Sequence, residues 1–123
     1  MCGIAGVVSL RSAGVPSQDV VSRMISTLDH RGPDAKGVQR FDRCLVGNAR
    51  LSIIDLHSGD QPMSCDGERF TIVYNGELYN FHDIRQRLQR AGQVFRTQSD
   101  TEVILNGFSA QAQQCLSQLN GIF

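Results

Sequence analysis

The chain has 123 residues, with 12 Lys and Arg balanced by 12 Asp and Glu. That length suits one domain with one core, and the balanced charge excludes a long-range field favouring nucleic acid or an anionic membrane as the main partner. No apolar run approaches the ~20 residues needed to span a bilayer, and no charged-then-apolar leader precedes the first apolar stretch, so the chain reads as cytoplasmic.

The first stretch, Met1-Cys2-Gly3-Ile4-Ala5-Gly6, continues into Val7 and Val8 and reads as a buried strand. Its glycines would leave room for a substrate beside the backbone. A polar loop over 11–17 follows, with Ser17 as helix N-cap. Val20, Val21, Met24, Ile25 and Leu28 then recur at helical spacing, a stripe that reads as core. His30-Arg31-Gly32-Pro33-Asp34 is a sharp polar break.

Residues 37–41 and 44–48 alternate as two strands of a hairpin joined by Asp42-Arg43. Residues 51–56 are expected to form a more apolar strand entered through Arg50, 57–68 a loop, and 70–74 a strand ending at Asn75-Gly76. Asn80 can cap a helix carrying Phe81, Ile84 and Leu88 until Gly92 stops it.

Residues 94–97 read as extended, and Ser99-Asp100-Thr101-Glu102 matches a capping box opening a helix with Val103, Ile104 and Phe108 inward. A last helix over 110–119 would bury Cys115, Leu116 and Leu119. Gly121-Ile122-Phe123 reads as the opening of another strand, and an apolar strand edge left there leads to the expectation of a C-terminally truncated domain. Adjacent antiparallel strands with helices inserted between them make the class α+β.

A small residue after the initiator methionine permits trimming of Met1, which would put a thiol and a free α-amine on one residue, Cys2. The thiolate is the attacking species, an ordinary thiol is only a few per cent ionised at neutral pH, and an α-amine titrates close enough to neutrality to serve as its base. Equally, Met1 can stay and Cys2 can be a buried small residue.

Cys44, Cys65 and Cys115 read as incidental thiols, because no C-x-x-C pair suggests zinc or a disulfide framework. The aspartates Asp29, Asp34, Asp55 and Asp60 make no convincing metal cluster, and His57 and His82 read as exposed. Read singly, Asn75-Gly76 is a turn, Arg50 a solvated charge and Asp100 a helix-start carboxylate.

The segments MCGIAG, HRGPD, GNARLSIIDL, GDQPM, YNGELYNF and SDTEVIL, in this order, resemble the N-terminal glutaminase domain of the class II glutamine amidotransferases. Within that class they resemble the asparagine synthetase branch most, and the resemblance runs over residues 1–123 as one incomplete glutaminase domain.

It implies the four-layer α/β/β/α sandwich of N-terminal nucleophile hydrolases and hydrolysis of the L-glutamine side-chain amide through a γ-glutamyl thioester on Cys2. Asn75 and Gly76 would be the oxyanion donors, a role in which each donor is worth roughly 10²–10³ in rate. Arg50 would take the substrate's α-carboxylate, for which a guanidinium fork is suited. Asp100 would pair with its ammonium, Glu77 would bind nearby, and backbone around Leu51 and Ile53 would line the pocket while their side chains read as core.

The base in the family is the terminal amine, so His30 and Arg31 are read as shaping a loop near the ammonia exit. Ammonia would pass to a synthetase domain that uses ATP and magnesium; no P-loop or S-G-G-x-D-S segment occurs here, so no cofactor is expected in this chain. A homodimer of the full-length protein is a further implication. Two other readings stay open: a glutaminase serving a different acceptor, and a non-enzymatic glutamine-binding or interaction module.

Overall fold

The computed structural model describes residues 2–10, 14–53, 55, 58–65 and 67–123. Elements run β1 (Gly3–Val8), α1 (Gln18–Ser26), β2 (Ala35–Arg40), β3 (Cys44–Arg50), β4 (Met63–Cys65), β5 (Phe70–Ile72), β6 (Glu77–Leu78), α2 (Phe81–Arg90), α3 (Asp100–Gln111), a 3₁₀ turn (Ala112–Gln118) and β7 (Gly121–Ile122). All strand pairs are antiparallel, as the α+β expectation required. The chain divides into two compact units, Met1–Ser52 with Asp60–Pro62 and Val73–Asn75, and Ile53–Gly59 with Met63–Ile72 and Gly76–Phe123.

In the first unit a three-stranded sheet, ordered β1-β3-β2, carries α1 on one face. Val21 and Ile25 project from the helix onto Leu45 and Ala49 of β3, with Ala5, Val7, Val15, Leu28 and Val38 around them. Val21 and Ile25 are buried, each contributing about 1.5–3 kcal/mol by leaving water. Met24 of the expected stripe is partly open, 38% exposed.

The first strand is buried on one face only: Ile4 and Val8 are exposed while Ala5 and Val7 pack on α1. Its glycines do not make room for a substrate either. A side chain at Gly3 would strike Leu28, and one at Gly6 the carbonyl of Leu45, so close packing within the unit explains both.

In the second unit the first two turns of α3 are enclosed, with every residue from Asp100 to Gly107 buried and Ala110 and Gln111 exposed. The helix packs against α2, β4, β5 and the 3₁₀ turn. Ser99 caps it as expected, its hydroxyl accepting from the Thr101 N–H at 3.0 Å. Glu102 does not close the capping box on Ser99. Its carboxylate accepts the N–H groups of Arg96 and Thr97, both at 2.8 Å, and the Thr97 hydroxyl at 2.7 Å. The Asn106 amide donates to the Val94 carbonyl at 3.2 Å. Residues 94–97 are therefore ordered by side chains of α3 and form no strand.

The helix over 81–90 forms as read from the sequence, with Ile84 and Leu88 buried. It ends in a reciprocal pair of bonds, Gly92 N–H to Gln89 O at 3.0 Å and Gln93 N–H to Leu88 O at 2.9 Å, which Gly92 permits by its φ of 91°. Asn80 does not cap the helix with its side chain; its amide instead ties to Gln118 O and Asn120 N–H.

Three other expectations change. No strand forms among the described residues of 51–56, with Ile54 and Leu56 outside them. The Leu51 and Ser52 N–H groups bond to side-chain acceptors, Cys2 Sγ and Asp34 Oδ2, instead of a neighbouring strand. Within the expected loop over 57–68, β4 pairs with β5, and the hydroxyls of Ser64 and Thr71 bond across the pair at 2.8 Å. The last helix is a 3₁₀ turn that buries Cys115 but leaves Leu116 exposed. At its end, β7 pairs with β6.

Burial raises the Cys115 thiol above its ordinary value, partly offset by a backbone hydrogen bond, so at a given pH less of it is thiolate. Cys44 and Cys65 are only half-buried. Alkylation at pH 8, followed by peptide mapping, is expected to modify Cys115 at least about tenfold more slowly than either. Equal rates would mean that the packing between α3 and the 3₁₀ turn is not as described.

Candidate active site

The pairing of β1 with β3 ends at Gly3 opposite Ala49. One residue further along each strand stand Cys2 and Arg50, so two of the sequence-predicted residues emerge side by side from the same end of one ladder. The Leu51 N–H donates to Cys2 Sγ at 3.3 Å, and the thiol lies 3.7 Å from the Leu51 carbonyl as acceptor. Leu51 thus meets Cys2 through its backbone, and its side chain is half-buried.

The backbone of Cys2 is held from outside the sheet. Arg31 Nε donates to the Cys2 carbonyl at 3.0 Å. Asp34, three residues on, accepts from Ser52 N–H at 2.8 Å and donates its own N–H to the Arg50 carbonyl at 3.0 Å. Between them Gly32 presses so closely on β3 that an added Cβ would fall on the Ala49 carbonyl. The HRGPD segment therefore grips the strand end that carries Cys2, contacts that sequence reasoning did not anticipate. The cue was present in the motif itself, since Arg31 and Asp34 flank its Gly-Pro break. His30 and His82 are exposed, and His57 and Met1 lie outside the described residues.

Arg50 is not a solvated charge. Its side chain is 6% exposed, and Nη1 meets Asp60 Oδ1 at 3.0 Å, with Asp60 itself 75% exposed. A buried guanidinium needs such a partner, because burial of an uncompensated charge is strongly unfavourable. Asn75 belongs to the same unit as Cys2 and Arg50 and is half-buried just after Tyr74.

Gly76, Glu77, Asp100 and Ile53 belong to the second unit. Asp100, 6% exposed, accepts the Leu78 N–H on Oδ2 at 3.1 Å and the Thr101 N–H on Oδ1 at 2.9 Å. Two charge-assisted bonds fix the carboxylate next to β6, where Glu77 is exposed, and a carboxylate has about four acceptor positions in all. The helix start alone would have explained only the Thr101 bond; the Leu78 bond ties Asp100 to the segment that follows Asn75-Gly76. The Ile53 side chain, expected in the core, is 72% exposed. Among the described residues no group of three or more His, Cys, Asp or Glu side chains converges as a metal site, and no helix is long and apolar enough to cross a membrane.

Cys2 is thus held against the Leu51 N–H, one residue beyond the β1–β3 ladder, with the buried Arg50 at the corresponding position of β3. The family model described as a glutamine amidotransferase domain matches residues 1–123, and the chain belongs to that family. The mixed α and β architecture is consistent with such a domain.

Among curated relatives, asparagine synthetase [glutamine-hydrolyzing] 3 of Bacillus subtilis (strain 168) is 42% identical over 125 residues, covering 100% of this chain and 20% of that protein. Asparagine synthetase [glutamine-hydrolyzing] 1 of the same organism is 36% identical, again over 100% of this chain and 20% of the relative. The asparagine synthetase [glutamine-hydrolyzing] of Sandersonia aurantiaca is 36% identical over 100% of this chain and 23% of its own length. The chain thus spans about a fifth of the length of these relatives.

Gly32 makes the local packing testable. Gly32→Ala is expected to destabilise the first unit by about 1–3 kcal/mol through overpacking against β3, read from the urea midpoint. An unchanged midpoint would contradict the close approach of residues 30–34 to Ala49.

Proposed function

We propose that the chain is a glutaminase that hydrolyses the side-chain amide of L-glutamine to glutamate and ammonia. The observation that carries this reading is the seating of Cys2 Sγ on the Leu51 N–H, one residue beyond the β1–β3 ladder, beside the buried Arg50. Removal of Met1 frees the α-amine of Cys2, which takes the thiol proton. The sulfur attacks the amide carbon, and Asn75 and Gly76 donate to the oxyanion of the tetrahedral intermediate.

The same amine then protonates the departing nitrogen, so that ammonia leaves and a γ-glutamyl thioester forms. Water attacks the thioester carbonyl, the amine takes its proton, and glutamate is released with the thiol restored.

Arg50 takes the substrate's α-carboxylate, and its bond to Asp60 supports a guanidinium held in place. Asp100 takes the α-ammonium with the acceptor capacity left beyond its two backbone bonds, Glu77 contributes at the same end, and backbone at Leu51 and Ile53 lines the pocket. The domain over residues 1–123 adopts the architecture of the four-layer N-terminal nucleophile hydrolases.

The names of the relatives support asparagine synthesis as the destination of the ammonia, in a synthetase domain that brings ATP and magnesium. Glutamine hydrolysis by residues 1–123 uses no cofactor of its own. The working protein is a cytoplasmic homodimer without a nucleic-acid or membrane partner.

Cys2→Ala is expected to lower glutamine hydrolysis by about 10³-fold or more while isothermal calorimetry still detects glutamine binding. Protein shown by mass spectrometry to retain Met1 should be inactive, and full-rate turnover by that form would exclude the α-amine as base. In parallel, Arg50→Lys should raise KM at least about tenfold, since an ammonium cannot reproduce the guanidinium fork. An unchanged KM would remove Arg50 from carboxylate recognition.

A further inference from the structure

The GDQPM segment carries two side chains, Asp60 and Gln61, that touch neither glutamine nor the reacting atoms in the proposed reaction. Asp60 Oδ1 holds Arg50 Nη1 at 3.0 Å. Its neighbour Gln61 turns one oxygen, Oε1, onto two donors: the Tyr74 N–H at 2.6 Å and the Asn48 amide nitrogen at 3.3 Å. Asn48 is fully buried in the middle of the sheet, paired with Ile4 on one side and Gly37 on the other. The Gln61 backbone is seated as firmly, because any Cβ at Gly37 would collide with the Gln61 carbonyl. All of these residues lie in the first unit.

Tyr74 precedes Asn75, and the strand before it, β5, ends at Ile72. Residues 73–75 lie outside the described strands, and Gln61 Oε1 is an acceptor that holds their backbone at Tyr74.

We propose that Asp60 and Gln61 are positioning residues that act as a two-point clamp, Asp60 orienting the carboxylate-reading guanidinium of Arg50 and Gln61 fixing the oxyanion donor Asn75 relative to β3. This inference rests on the glutaminase reading and adds two residues to it. The two halves of the clamp act on different steps. An oxyanion donor works when charge develops in the transition state, whereas a grip on the carboxylate works equally in the ground state. Damage at Gln61 should fall on kcat, and damage at Asp60 on KM.

The test compares Gln61→Met, which keeps length but loses the acceptor, with Gln61→Glu, which keeps an oxygen for both donors, and with Asp60→Ala. Gln61→Met is expected to lower kcat for glutamine about 10–100-fold with KM within about twofold, Gln61→Glu to recover most of that loss, and Asp60→Ala to raise KM about tenfold with kcat nearly unchanged. Amide hydrogen exchange supplies a reading independent of turnover. The Tyr74 amide should exchange at least about tenfold faster in Gln61→Met but not in Gln61→Glu, with the Val46 amide of β3 unchanged as the control for folding.

Parallel losses of kcat and KM without the split, a Gln61→Glu variant no better than Gln61→Met, or an unaltered Tyr74 amide would each overturn the clamp. If the wild-type chain fails to hydrolyse glutamine, the glutaminase reading fails first, and the positioning role falls with it even where Tyr74 protection still follows residue 61.

Discussion

The antiparallel pairing of β1 with β3 is the constraint on which the site depends. Six residue pairs from Val8 and Cys44 to Gly3 and Ala49 set the register, and a register slip by one residue would turn every side chain of β1 to the other face. Because α1 packs on only one face of this sheet, through Val21 and Ile25 on Leu45 and Ala49, that slip would cost the core as well as the ladder. The ladder therefore delivers Cys2 and Arg50 to one place with the accuracy of a packed sheet. No loop could do so at the same cost in entropy.

Beyond the last β1–β3 pair β2 still holds Arg50, while side chains hold the backbone at Cys2, Ser52 and Tyr74. Arg31 holds the Cys2 carbonyl, Asp34 the Ser52 N–H, and Gln61 the Tyr74 N–H. Each is a side chain from one segment bonded to the backbone of another, an arrangement that fixes irregular chain where it must be both ordered and open to a substrate. Glycines at 32 and 37 allow it, since both sit where a neighbouring backbone comes too close for a side chain.

The second unit uses the same device around a different centre. The N-terminal two-thirds of α3 is enclosed, and its polar residues Asp100, Glu102 and Asn106 are each bonded to the backbone of a preceding segment. Buried polar groups of this kind are tolerated only when satisfied, and here they order residues 78 and 94–97. Asp100 is thus a structural acceptor within its own unit, and the role proposed for it with glutamine uses the capacity those two bonds leave.

Much of this was legible in the residues alone. Apolar spacing located α1, α2 and the start of α3; Ser99 and Gly92 marked helix ends through capping chemistry that is local and so readable; and the ordered motifs led to the family. What local pattern could not supply was the fate of backbone groups satisfied from far away. The apolar run after Arg50 reads as a strand, yet Leu51 and Ser52 bond to Cys2 and Asp34, 49 and 18 residues distant. Met63–Cys65 has weak strand character and pairs only because β5 lies beside it. The exposure of Ile53 and the burial of Arg50 likewise follow from neighbours brought in by folding. Sequence by itself determined the chemistry available, a thiol beside the chain start, a guanidinium, an amide and a carboxylate. Tertiary structure alone decided which backbone groups those side chains hold, because hydrogen-bond partners separated by tens of residues leave no periodic trace in the chain.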